Sequence, residues 1–397
     1  MSVWIIEPRD PLIVRDGRPF GPTPGARANT LNFPLPSTLV GALRTRAGTT
    51  DGKFNEACIN ELLKITMRGP LLVELNDSDE IEQYYLPAPA DALIYTNSKN
   101  QKVRRVWLSP QTFTNSFTNK FKGEDSEQLH YVGPKEIIKG KADSNAPTFW
   151  HADDFFAWLK EPKDTPEESD FEFLKPGIKA LPKDTRMHVS INKDTQTGED
   201  GLLYLTSGLE FVRVEEQKDD AYRKNFHRLA LAVEFHQQNE HLKGGLAPLG
   251  GERRLMHWRT GAETFDERLS AKRSEIIEQI CKDKQARVVL LTPAYFQHGY
   301  RPELQWSMGG VTATLKGVVN PRYQTAGGWD YKKNQPKATK RIAPAGSVYY
   351  VAFAEDADNA DIEAWCNAVW LRNISDGEQW QRDGFGLAVL GTWKKEQ

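Results

Sequence analysis

Cysteine is scarce: three in 397 residues, Cys58, Cys281 and Cys366, odd in number and far apart. That count and spacing argue against a disulfide framework and against a Cys-based zinc site, and they suit a reducing compartment. Long apolar runs are missing too. The longest aliphatic stretches, such as Val288 to Leu291, fall far below the ~20 residues a bilayer-crossing helix needs. The opening MSVWIIEPRD carries Glu7 and no apolar core of signal-peptide length. These absences predict a cytoplasmic protein with no membrane contact. Positive charge is not in excess either, since the net charge is −2. Any polyanion site must therefore be a local patch.

Signatures of catalysis and cofactor binding are likewise missing. The closing RDGFGLAVLGTW has the glycine spacing of a P-loop between Gly386 and Gly391. A P-loop needs a lysine after the second glycine and a helix whose N-terminus faces the phosphate. Here Thr392 and Trp393 follow instead, so the stretch reads as a loop leading into a last strand, LAVLGTW. The eight histidines contain no HExxH, and no Gly-x-Ser-x-Gly elbow is present. No metal, cofactor or catalytic residue is expected.

What is present is length and patterning. With 39% hydrophobic residues the chain can fill two domain cores. VWIIE reads as a strand, and LPSTLVGALRTRAG reads as a helix with Ser37 as N-cap, Leu39, Val40 and Leu43 on one face, and Gly48 as the stop. Residues 97–180 are polar and broken by Pro, Asn and Lys, apart from a short aromatic helix at Asp153–Lys160. This stretch reads as an insertion ordered in part by its partner, not as a third domain. RMHVSINKDTQTGEDGLLYLTSGLEFVRVE reads as a hairpin. From LALAVEF onward the order is strand, charged helix (Asp266–Lys284), strands at ARVVLLTPAYF, GVTATLKGVV and AGSVYYVAF, helix (Asp361–Asn373) and last strand. That is the split βαβ pattern with an extra strand, and the first half offers a looser version of the same order. The predicted class is α+β, with two tandem ferredoxin-like (RRM-like) domains: residues 1–222 with the 97–180 insertion, and residues 223–397.

Local positive charge falls in three places. The first 52 residues hold six arginines (Arg9, Arg15, Arg18, Arg27, Arg44, Arg46) and no lysine. Arginine interleaved with Gly and Pro suits bidentate phosphate contacts, whereas Arg9–Asp10 and Arg15–Asp16 also fit plain ion pairs. GGLAPLGGERRLMHW sets Gly250 and Gly251 beside Arg253, Arg254, His257 and Trp258, where close backbone approach lets the paired arginines hold phosphates, or where Arg and Trp form a protein interface. The run Lys316–Arg341 mixes seven cations with Tyr323, Trp329 and Tyr331 around a single acid, Asp330. It could grip a single strand or be a solvated loop.

Six stretches in one order then resemble a known family. DPLIVRDGRPF with PLPSTLVGALRTRAG, HVSINKDTQTGEDGLLY, PLGGERRL, KATKRIAPAGSVYYV and DGFGLAVLGTW resemble the RAMP superfamily of CRISPR proteins. More narrowly, they are similar to the family of the third subunit of the type III-B (Cmr) effector complex. The resemblance implies a non-catalytic subunit that binds the 5′ handle of the guide RNA (crRNA). It also implies docking to the large polymerase-palm-like subunit on one side and to the RAMP backbone on the other. Candidate RNA contacts are Arg15, Arg18, Arg27, Arg44, Arg46, Gly250, Gly251, Arg253, Arg254, His257, Lys340, Arg341, Arg382, Gly384, Phe385 and Gly386. The glycine-rich loop before the last strand would touch RNA or pack a domain seam. Some relatives in the superfamily cleave RNA with a histidine, so processing of precursor crRNA through His188 or His257 is the alternative. A protein-only adaptor is the third reading.

Overall fold

Nine consecutive residues, Met67–Leu75, are all buried, as a strand with neighbours on both sides and packing on both faces requires. The computed structural model describes residues 2–16, 30–111, 129–217, 220–235, 242–330 and 335–394. It divides into two compact units that interleave along the chain: Met1–Glu82, Ala180–Ala262 and Thr325–Arg341 form the first, and Gln83–Lys179, Glu263–Gln324 and Ile342–Gln397 the second. A single boundary near residue 222 does not describe this division. LALAVEF, expected to open the second domain, is the end of strand Asp220–Phe235 in the first unit. Apolar periodicity reports that a strand is buried, not which sheet it joins.

In the first unit, strands Ser2–Pro8, Met67–Leu75, Asp220–Phe235 and Leu255–Thr260 are taken in sequence order as one to four. Three lies between two and one, and one lies between three and four, all antiparallel. Strand one is central, which is why VWII is buried. Helix Pro36–Ala47 packs on strand two with Leu39, Val40 and Leu43 inward. Its N-cap is Leu35, not Ser37, because Pro36 takes the first helical position. Proline's fixed φ suits that position, and the N–H it lacks would have been unpaired there. The expected hairpin joins Lys183–Ile191 to Gly198–Leu209.

The second unit repeats the strand order. Gln285–Leu290 lies between Leu387–Thr392 and Val348–Ala352, and Val311–Val319 lies beyond Val348–Ala352. Short strands Arg372–Asn373 and Gln305–Met308 close the two edges. The charged helix expected over Asp266–Lys284 is two helices, Phe265–Leu269 with a Thr264–Glu267 capping box and Arg273–Asp283. Asp358 caps helix Asn359–Val369. The polar 97–180 region belongs to this unit, and its helix Ala152–Lys160 buries Phe155, Trp158 and Leu159. Trp150 and Trp158 meet edge to face at 6.1 Å, and the Arg105 guanidinium lies 4.9 Å from the Trp158 ring. The mixed, strand-rich α+β class holds.

At the centre of the second unit sits a fully buried ion pair. Arg287 Nη1 donates to Asp91 Oδ2 at 2.5 Å, with both side chains at 0% exposure. The remaining guanidinium N–H groups reach the carbonyls of Thr392 (2.7 Å) and Trp158 (2.7 Å). Asp91 also accepts from Trp158 Nε1 at 2.9 Å and from the Tyr350 hydroxyl at 3.1 Å. Burial and the Asp91 charge push the Tyr350 hydroxyl well above the ordinary tyrosine range, so it stays a donor. Breaking such a pair from one side costs about 3–5 kcal/mol, because it strands a buried charge. Asp91→Ala is expected to lower unfolding free energy by that amount in a urea titration. The double change Asp91→Leu, Arg287→Met should recover a large part of it. Equal losses in the two variants would contradict this account.

Candidate nucleic-acid interface

Two of the arginine-bearing stretches meet in the first unit. The backbone of Arg9 and Asp10 donates to the Leu255 carbonyl, and Gly251 N–H donates to Ile13 O at 2.8 Å. Gly250 has φ +74°, and a Cβ there would sit 2.5 Å from Ile13 O. Its missing side chain is therefore used for packing against its own chain, where Leu12 and Ile13 run past. Glu252 (φ +57°) and Arg253 (φ +52°) follow in the left-handed region. Two successive non-glycine residues in that region store strain, of order 1–3 kcal/mol each. The turn holds them there.

The strained turn decides which cations face solvent. Glu252 pairs with Arg15 at 3.6 Å and with Arg254 at 2.9 Å. Asp10 Oδ2 accepts from the Leu255 N–H at 2.9 Å, and Arg9 and Asp10 form no ion pair among the described residues. Arg9 and Arg253 are exposed and have no side-chain partner among the described residues. Four arginines thus gather at one turn, with the Glu252 carboxylate shared between two of them and the Asp10 carboxylate on the Leu255 N–H. His257 lies on the adjoining strand, its Nδ1 3.4 Å from Arg259 Nη1.

Other candidates stand elsewhere or are already engaged. Arg46 donates to the carbonyls of Lys243 and Gly244, both within hydrogen-bond reach, and lies over the Trp258 ring at 5.8 Å. Its pKa is lowered by desolvation. Arg44 donates to Ile65 O at 3.0 Å. Both helix arginines hold loops of their own unit. Lys340 and Arg341 are exposed on a short strand. Arg18 and Arg27 lie outside the described residues.

The glycine-rich loop belongs to the core of the second unit. Phe385 is fully buried and meets Trp380 edge to face at 4.7 Å. Gly384 accepts from Thr292 Oγ1 at 2.8 Å. Gly386 has φ +84°, and a Cβ there would meet Ser375 N at 2.7 Å. Arg382 pairs with Glu378 one helical turn back. The arginine turn and the glycine-rich loop are in different units.

Sequence reasoning counted Arg9 but did not single it out, because pairing with Asp10 looked equally natural. The signal was Asp10 itself, a small acid placed where it can cap the neighbouring strand's N–H. Among the described residues no cluster of three or more His, Cys, Asp or Glu could hold a metal ion. No described helix is long and apolar enough to cross a membrane.

Comparison with protein families places the chain in a class: a CRISPR-associated protein model matches residues 4–393. The chain belongs to that family, Cas_Cmr3, as its six ordered motifs indicated. A search of curated proteins gives no match. Among solved structures, the chain is similar to one chain of the Type III-B Cmr-beta bound to cognate target RNA and AMPPnP, state 1. Identity is 12%, coverage is 88% of this chain and 86% of that one, and the TM-score is 0.42. It is also similar to one chain of the Type III-B Cmr-beta bound to cognate target RNA, at 14% identity, the same coverage and a TM-score of 0.42.

Replacing Gly250 by alanine forces a Cβ onto the Ile13 carbonyl at positive φ. Gly250→Ala is expected to lower unfolding free energy by about 1–3 kcal/mol in chemical denaturation. An unchanged midpoint would mean the turn is not held against Leu12 and Ile13 as described.

Proposed function

We propose that the chain binds the 5′ handle of a guide RNA as a non-catalytic subunit of a type III-B CRISPR interference complex. In that complex it bridges the large polymerase-palm-like subunit and the RAMP backbone, in a cytoplasmic setting that suits its three free cysteines. The observation that carries the reading is the family match over residues 4–393. The arginine turn supplies the chemistry. Guanidinium forks match phosphate oxygens, and two of the four here have no side-chain partner among the described residues. The repeated strand order supports two ferredoxin-like modules, since both sheets run four, one, three, two. In the second module helix Arg273–Asp283 precedes the first strand, where the pattern has a helix following it.

The histidines favour the non-catalytic form. His188 stacks on Tyr204 at 5.2 Å, and its Nε2 lies 2.8 Å from Thr206 Oγ1, which makes it a cross-strand partner within the hairpin. His257 lies beside Arg259, whose Nη1 also donates to Glu7 at 2.8 Å and whose Nη2 donates to Asp79 O at 2.9 Å. Both sites brace strands.

Arg253→Glu is expected to weaken binding of a handle-sequence RNA about tenfold and to lower the slope of log K against log salt by about one. Arg254→Glu also breaks the Glu252 pair, so Arg253→Glu is the cleaner variant. Anisotropy titration at several salt concentrations checks this. Unchanged affinity, or cleavage of precursor RNA that His257→Ala abolishes, would overturn the reading.

A further inference from the structure

A cleft of about 650 Å³ opens within the second unit, and none of the candidate RNA contacts lines it. Its volume lies in the range of small-molecule sites. Trp107, Phe353 and Trp393 are among the residues that line it, with Phe353 and Trp393 mostly buried, and Lys282, Lys284, Lys316 and Lys394 line it together with two carboxylates, Asp283 and Glu355. The lysines are not equivalent. Lys282 pairs with Glu278 at 2.7 Å, and Lys284 donates to the Glu355 backbone carbonyl. Both stand at the C-terminal end of helix Arg273–Asp283, where they offset the partial negative charge of its last carbonyls. The side chains of Lys316 and Lys394 have no partner among the described residues.

Lys316 owes its position to a β-bulge. Along Val311–Val319 the pairing passes from Leu315↔Val351 to Gly317↔Tyr350, which leaves Lys316 as the extra residue. Its carbonyl is taken by the His130 N–H at 2.7 Å. Gly317 makes room beside it, since a Cβ there would lie 2.7 Å from Val132. Bulges re-aim side chains and are frequent beside functional sites. This one sets Lys316, half-buried and without a side-chain partner among the described residues, at the cleft.

We propose that the cleft binds a nucleotide, with its phosphate on Lys316 and Lys394 and its base against the aromatic side chains of the lining. The nucleotide is either a free nucleoside phosphate or one residue of an RNA strand, since both present the same chemistry. An acidic peptide would satisfy the ammonium groups but leave the aromatic surface unused. The inference goes beyond the arginine turn and stands apart from it.

The test uses the full chain with adenosine monophosphate, a uridine decamer and a glutamate-rich peptide as probes. Tryptophan fluorescence and photocrosslinking are read on wild type, on the double variant Lys316→Glu, Lys394→Glu, and on the neutral pair Lys316→Gln, Lys394→Gln. Circular dichroism checks folding, and the Gln pair serves if the Glu pair misfolds. The expected result is at least a tenfold loss of nucleotide binding in the double variant, with crosslinks at Trp107 or Trp393. Binding of the monophosphate assigns a free nucleotide, and binding of the decamer alone assigns an RNA residue. Binding that the variants leave unchanged, no nucleotide binding by wild type, or binding of the peptide alone would overturn the proposal. Arg253→Glu separates the two readings, because it should leave monophosphate binding at the cleft intact.

Discussion

The second unit depends on Arg287 and Asp91 finding each other in a place with no water. One guanidinium ties the first strand of the sheet to the last strand at Thr392, to the end of helix Ala152–Lys160 at Trp158, and to Asp91. A lysine could supply the charge but not the planar set of donors that reaches all three directions. The polar 97–180 region is held to this unit through that side chain as well as through Phe155, Trp158 and Leu159. The first unit has its own counterpart, a buried contact between Arg68 and Glu234 on adjoining strands, at 2% and 0% side-chain exposure. Buried pairs of this kind add little net stability over an apolar core of equal volume. Their contribution here is geometric: they join segments that lie far apart in sequence.

That geometry separates packing from recognition. The glycines that first suggest an RNA contact, Gly250 and Gly386, lie against the chain's own Ile13 and Ser375. Close approach is real at both positions, but the approaching backbone is the protein's. What the turn at Gly250 offers outward is a consequence of that packing. It forces Glu252 and Arg253 into left-handed conformations and leaves Arg253 exposed, with Arg9 brought alongside by the backbone bonds to Leu255.

Much of this was legible in the residues. The hairpin at Lys183–Leu209, the helix ending at Gly48 and the last strand at Leu387–Thr392 follow from alternation, helical spacing and glycine placement. The family was legible because six short stretches fall in one order, although none is specific alone. Sheet membership was not legible. Asp220–Phe235 has the same apolar alternation whichever sheet it enters, and nothing local says that its partners are Ser2–Pro8 and Met67–Leu75. The engagement of Arg44 and Arg46 was hidden for the same reason, since the carbonyls they meet come from residues 65, 243 and 244. The lysine cleft draws on segments scattered from Trp107 to Lys394, and only the Lys316 bulge left a trace, in the Lys-Gly step after alternating residues.

We propose that this chain meets RNA at the turn joining Leu12–Ile13 to Gly250–Leu255. The most direct measurement is photocrosslinking of a guide RNA carrying 4-thiouridine in its 5′ portion, within the assembled complex, followed by mass spectrometry of the attached peptides. The account predicts attachment within residues 249–258 or beside Arg9. Attachment confined to other segments, with the arginine turn protected by a protein neighbour instead, would contradict it.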